Sequence, residues 1–205
     1  MGLEFYITAF VTLFVVIDPI GLAPLFVALT AGQPQARRRA IGLRACLVGA
    51  TLLALFGLFG EAVLGFAGIS MPAFRVAGGI LLFLTALDML FERRTKRRQG
   101  QTEEHEEDPS VFPLATPLIA GPGAIATMIL LTGQTGYWAA TLAVHAVMLS
   151  VVALSLVLFL LAGRIERLLG DTGINVITRL LGMLLAALSV QFVLDGLRAV
   201  GAMPA

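Results

Sequence analysis

Apolar blocks long enough to cross a bilayer alternate with short polar connectors along this chain. The blocks cover residues 5–29, 41–65, 74–91, 111–131, 138–162 and 174–197. Each approaches the roughly 20 residues an α-helix needs to span the hydrocarbon layer. The pattern predicts an all-α membrane protein with six transmembrane helices.

Composition agrees with this reading. The chain is 58% hydrophobic and 13% charged, whereas a soluble domain carries about 25% charged residues. Its mean hydropathy is +0.93. The first block lacks a basic leader and a small-residue cleavage site, so it reads as a retained span and not as a signal peptide. Cys46 is the single cysteine, which removes disulfides and paired-cysteine metal sites from consideration. With two histidines and no nucleophile–base motif, the expectation is no catalytic residue, no metal site, no cofactor and no enzyme activity. A net charge of +1 gives no reason to expect a nucleic-acid partner.

The charges are distributed unevenly. The longest connector, 92–110, carries Arg93, Arg94, Lys96, Arg97 and Arg98, then Glu103, Glu104, Glu106, Glu107 and Asp108. It reads as a solvated linker between segments 1–91 and 111–205, with a regulatory contact as the alternative. Arg37, Arg38, Arg39, Arg44, Arg164, Arg167 and Arg179 fall on the same side as the linker's five basic residues. Only Arg75 and Arg198 fall on the other side. By the positive-inside rule the linker side is cytoplasmic and both termini lie outside.

The two halves resemble each other. Leu64-Gly65-Phe66-Ala67-Gly68-Ile69-Ser70 recurs as Leu169-Gly170-Asp171-Thr172-Gly173-Ile174-Asn175. Arg75-Val76-Ala77-Gly78 recurs as Arg179-Leu180-Leu181-Gly182, with Thr85 matching Ser189. Pro19 and Pro24 in the first span match Pro117 and Pro122 in the fourth. Three spans per half force the second half to insert upside down, which predicts two inverted three-helix repeats.

The prolines mark the expected working centre. Each removes a backbone donor and clashes with the carbonyl four residues back. In spans 1 and 4 this would free the carbonyls of Val15, Ile20, Pro113 and Leu118. Such groups are tolerated at membrane depth only where protein or water meets them. Asp18-Pro19 and Thr116-Pro117 each read as an N-cap followed by proline at the first helical position. Two half-helix N-termini would then meet near the midplane and favour an anion. Asp18 and the freed carbonyls would favour a cation or proton, so the pair suits a small zwitterion. The competing reading is a pair of kinked helices that only pack.

Asp18 is the one acid near the centre of a span, and intramembrane carboxylates are usually functional. The candidate substrate-binding set is Asp18, Pro19, Ile20, Gly21, Thr116, Pro117, Gly121, Pro122 and Gly123. Thr85, Ser189 and Gln191 either join it or hydrogen-bond between helices. His145 reads as a satisfied interhelical histidine.

The strings Ile17-Asp18-Pro19-Ile20-Gly21, Pro113-Leu114-Ala115-Thr116-Pro117-Leu118-Ile119-Ala120-Gly121-Pro122-Gly123 and Val190-Gln191-Phe192-Val193-Leu194-Asp195-Gly196 resemble the MarC family. So does Arg75-Val76-Ala77-Gly78-Gly79-Ile80-Leu81-Leu82-Phe83. The resemblance spans essentially the whole chain. It implies a bacterial inner-membrane protein, with archaeal relatives described as transporters of glycine and alanine. The expected activity is secondary transport of small neutral amino acids by alternating access, with Asp18 coupling to H⁺ or Na⁺. Export of another small solute or cation, as in the lysine-exporter superfamily, stays open. So do a non-transporting assembly role and a homo-oligomer.

Overall fold

The computed structural model describes residues 2–91 and 108–202, and within these every regular element is helical. The charged run 92–107 lies outside the described residues. Helix α1 is Leu3–Ile17, α2 is Pro19–Leu29, α3 is Gln35–Phe66 and α4 is Met71–Leu90. An irregular helical segment, α5, spans Ser110–Ile119, followed by α6 at Pro122–Thr132. The long helix Trp138–Ala199 is broken at Gly170, which leaves the spans α7, Trp138–Ile165, and α8, Thr172–Ala199.

The α1–α2 pair together with α3, α4, α7 and α8 makes five crossings long and apolar enough for a bilayer. The α5–α6 pair, bent by 54°, makes either a sixth crossing or a re-entrant loop. Packing places the pair along the length of the bundle. Asp108, just before α5, pairs with Arg44 near the start of α3. Gly133, just after α6, packs on Met71 at the start of α4, the other end of the bundle. Between these points α5 and α6 run alongside α3, with Ile119 against Gly49 and Ile129 against Gly60.

The ends of the helices show why the chain turns where it does. Gly68 adopts φ 70 after α3, and Ile69 N–H reaches back 2.9 Å to the Leu64 carbonyl. This is a glycine-closed helix end, in which the left-handed residue costs no Cβ clash. The α7–α8 connection turns instead at Gly170, with φ 59. In the matched strings Gly170 corresponds to Gly65 and not to Gly68, so the two halves turn at non-equivalent glycines. The helix is also hydrogen-bonded across most of the region that hydropathy assigns to a connector.

The two broken spans occupy the middle of the bundle. In the α1–α2 span 61% of the apolar window is buried, against 22–33% in α3, α4, α7 and α8. All of α6 from Ala126 to Thr132 is buried. Around this centre, α3 presents Gly42, Cys46, Gly49, Leu53, Gly57, Gly60 and Leu64, all buried at helical spacing. Small residues at such a seam let neighbouring backbones approach closely. Helices α4 and α8 pack antiparallel through Gly79 against the Ser189 carbonyl, Gly182 against the Ala86 carbonyl, and Gly196 against the Pro72 carbonyl. Outward-facing Leu47, Phe59, Leu84, Leu149 and Leu184 are exposed, as lipid-facing residues of a span must be.

Candidate functional site

Span 1 breaks where the sequence predicts. Asp18 closes α1 and caps α2 in a left-handed conformation, φ 55 and ψ 61. Aspartate tolerates that region better than most non-glycine residues. Its backbone N–H donates 2.9 Å to the Phe14 carbonyl, and its own carbonyl accepts from Leu22 N–H at 3.0 Å. Its carboxylate Oδ1 accepts from Gly21 N–H at 3.1 Å. The side chain is fully buried, and it sits near the middle of the 27-residue span. Pro24 lies inside α2 without ending it.

Span 4 breaks differently, which corrects one expectation. Thr116-Pro117 does not start a helix: Thr116 is extended at φ −129, ψ 126. A residue before proline is pushed away from the α region, and Phe112 before Pro113 is extended for the same reason. Both of these X–Pro peptides are cis. The backbone here makes wide turns, Leu114 N–H to the Pro109 carbonyl at 3.2 Å and Ala120 N–H to the Ala115 carbonyl at 2.8 Å. The four-back accounting of freed carbonyls at Pro113 and Leu118 therefore does not apply. Regular helix begins only at Pro122, with Gly121 at the cap position and no side chain bonded to its first amides. Gly121 is required sterically, because a methyl there would collide with the Pro117 carbonyl.

The two breaks lie side by side. Val16, two residues before Asp18, packs on Gly123, the second residue of α6. A methyl group on Gly123 would lie 3.3 Å from Val16 Cγ1 and 3.6 Å from Thr85 Oγ1. Thr85 from α4 thus joins the α1–α6 contact, while its hydroxyl donates 3.0 Å to the Leu81 carbonyl. Pro19, Gly121 and Gly123 are buried, Ile20, Gly21 and Pro117 are half-buried, and Thr116 and Pro122 are exposed. Ser189 is buried against Gly79 on the α4–α8 seam and donates 2.7 Å to the Ala186 carbonyl. Gln191 is not brought to the breaks: it is exposed and donates 2.7 Å to Asp195 Oδ1. His145 bridges helices, with Nδ1 2.8 Å from the Thr141 carbonyl and Nε2 3.4 Å from the Ala54 carbonyl of α3. Among the described residues no group of three metal-ligating side chains forms.

Comparison with known proteins agrees with this architecture. Residues 3–200 match the profile of the MarC family, described as "MarC family integral membrane protein". The chain belongs to the MarC family. A UPF0056 membrane protein of Methanocaldococcus jannaschii is 41% identical over 199 residues, covering 95% of this chain and 87% of the relative. UPF0056 membrane proteins YvbG of Bacillus subtilis and YhcE of Escherichia coli are 37% and 36% identical. These alignments cover 97% and 95% of this chain, and 96% and 93% of the relatives. No solved structure matches the chain. This MarC chain is thus a multi-pass integral membrane protein, and its relatives' names state no substrate.

Sequence reasoning missed Thr12. It lies one helical turn before Val16 on α1, is fully buried, and its hydroxyl has no hydrogen-bond partner. The i, i+4 spacing to Val16 puts it on the face toward α6, and that spacing is the signal that could have found it.

The Asp18 cap in this MarC protein depends on Gly21. A methyl at Gly21 would lie 2.8 Å from Asp18 Cγ and 3.0 Å from Oδ1. Gly21→Ala is expected to evict the carboxylate from the cap, at a cost of about 1 kcal/mol. Thermal unfolding in detergent checks this, and an unchanged melting temperature would show that the carboxylate does not need the space.

Proposed function

We propose that this MarC-family chain is a secondary transporter of small neutral amino acids, of the glycine and alanine class, in the bacterial inner membrane. The observation that carries the reading is that the two central spans are both broken in mid-course, at adjoining points and beside a buried carboxylate. Non-helical backbone at membrane depth costs several kcal/mol per unsatisfied group unless protein or water meets it. Two such breaks side by side at the centre fit a binding site better than they fit packing.

The two half-helix starts are chemically unlike, and this orients a substrate. At α2 the Gly21 amide is occupied by Asp18, which supplies negative charge. At α6 no side chain caps the helix, so its amides are open to an anion. A zwitterion would place its ammonium toward Asp18 and its carboxylate toward the amides at Gly123 and Ala124. The close approach allowed by Gly121 and Gly123 favours a small substrate. Asp18 also serves as the group through which H⁺ or Na⁺ couples. The inverted repeat and the basic cytoplasmic face supply the alternating-access framework, with both termini outside, and no catalysis is part of this reading.

Purified protein in proteoliposomes is expected to take up labelled glycine and alanine saturably, with excess unlabelled alanine competing. An imposed proton or sodium gradient is expected to accelerate uptake. If neither uptake nor binding of any small neutral amino acid is detected, the substrate class is wrong.

A further inference from the structure

A concavity lies away from the two breaks, at the face that carries the α2–α3 turn and the α7–α8 connection. It encloses about 640 Å³ between the end of α2, the start of α3 and the end of α7. Four arginines converge on it: Arg38 and Arg39 from α3, Arg164 and Arg167 from the α7 end. None of its lining residues carries a carboxylate.

Its floor is built, not incidental. Phe26 and Phe159 stack at 4.8 Å and within 5° of parallel, and both rings are buried. The Arg38 guanidinium sits 5.8 Å above the Phe26 ring, a cation–π placement that holds it at the cavity. Arg167 donates Nε to the Gly163 carbonyl at 2.9 Å, which fixes the base of its fork and leaves the terminal amino groups for a ligand. Arg39 and Arg164 form no ion pair with any described residue. Orientation in the membrane accounts for a surplus of arginine on one face. It does not account for four guanidinium groups around one pocket whose lining, among the described residues, carries no carboxylate.

The wall beside the arginines continues as apolar surface. Leu160 and Leu161 line the pocket and are 48% and 37% exposed, and Val157, one turn further toward the membrane centre, is 48% exposed. Guanidinium forks match phosphate oxygens bidentately. A phosphate held at the arginines would lie directly above a strip suited to acyl chains.

The geometry points to a binding site for an anionic phospholipid, its headgroup phosphate among Arg38, Arg39, Arg164 and Arg167 and its chains along Leu161, Leu160 and Val157. Basic pockets between helices at a membrane face recognise such headgroups. The site is separate from the proposed transport centre and does not depend on what is transported. Joining the α2–α3 corner to the end of α7, the lipid would brace the two halves of the chain against each other.

The test uses the full-length protein in detergent. Phosphatidylglycerol is expected to raise the melting temperature more than phosphatidylcholine of the same acyl chains, and the difference should shrink with added salt. Neutralising Arg39 and Arg164 together, Arg39→Gln with Arg164→Gln, is expected to weaken apparent phosphatidylglycerol affinity about 30-fold, at about fivefold per arginine. Arg198→Gln, on the opposite face, should leave it unchanged. Independently of any variant, a phosphatidylglycerol carrying a photoreactive acyl chain should label wild-type protein at 157–161. Equal stabilisation by the two lipids, undiminished affinity in the double variant, or labelling elsewhere would overturn the proposal. Full competition by inorganic phosphate would also overturn it, by marking the pocket as a site for a soluble anion.

Discussion

Asp18→Asn is expected to lower substrate transport about 10- to 100-fold while the protein folds normally. The size follows from losing one interaction with a charged partner, about 1.5–3 kcal/mol. The substitution is informative because asparagine repeats what aspartate does for the fold. It caps helices about as well as aspartate, and it enters the left-handed region with similar ease, so the φ of 55 at this position remains accessible. Only the charge beside the α2 N-terminus is removed, at a cost to stability below about 1 kcal/mol. Asp18→Ala removes the cap as well, and should lower stability as well as transport. Proteoliposome uptake paired with thermal unfolding separates the two variants. Asp18→Asn protein that transports at the wild-type rate would show that the carboxylate is only a structural cap.

Gly79→Ala should destabilise the bundle by about 1–3 kcal/mol, the cost of forcing atoms into a filled interior. A methyl there would lie 2.8 Å from the Ser189 carbonyl oxygen and 3.0 Å from Val193 N. These are backbone atoms of α8 and cannot rotate away, so the α4–α8 pair must separate along its length. Gly163→Ala is the matched comparison, since nothing lies within 4 Å of a methyl at that helical position. There the usual gain of up to about 1 kcal/mol for alanine over glycine in a helix should appear. Melting temperatures of the two variants in the same detergent should therefore move in opposite directions. A Gly79→Ala protein as stable as wild type would mean that the α4–α8 seam is looser than described.

How much of this was legible in the sequence depended on which physical signal each feature leaves. Hydropathy located the five long spans and the bent α5–α6 pair because desolvation is summed over many residues. It placed the start of α3 at 41, whereas the helix begins at Gln35. Arg37, Arg38 and Arg39 lower hydropathy without weakening backbone hydrogen bonding, so the helix simply extends beyond the apolar layer. The Asp18 break was legible because cap chemistry is local. The span 4 break was not placed correctly, since Thr116-Pro117 carries the same two-residue signal as Asp18-Pro19. There the outcome depends on Pro113, Pro117 and Gly121 acting together over ten residues. The Gly42–Gly60 stripe of α3 could have been read from its spacing, but its partners, Phe26 of α2, Ile119 of α5, Ile129 of α6 and His145 of α7, could not. Gln191 shares its span with Ser189 yet faces outward, because two residues turn a helix by about 200°.

The breaks have a consequence for how the molecule divides. With α1 and α6 on one side of the middle and α2 and α5 on the other, each end of the bundle holds one half of each central span. The four unbroken crossings form a sleeve that runs the full depth, while the contents of the sleeve are cut across at one level. The two cuts differ in kind, since backbone hydrogen bonds continue through Asp18 from α1 into α2, whereas α5 and α6 meet at a 54° bend. One central span is thus a helix with a single irregular residue, and the other is hinged.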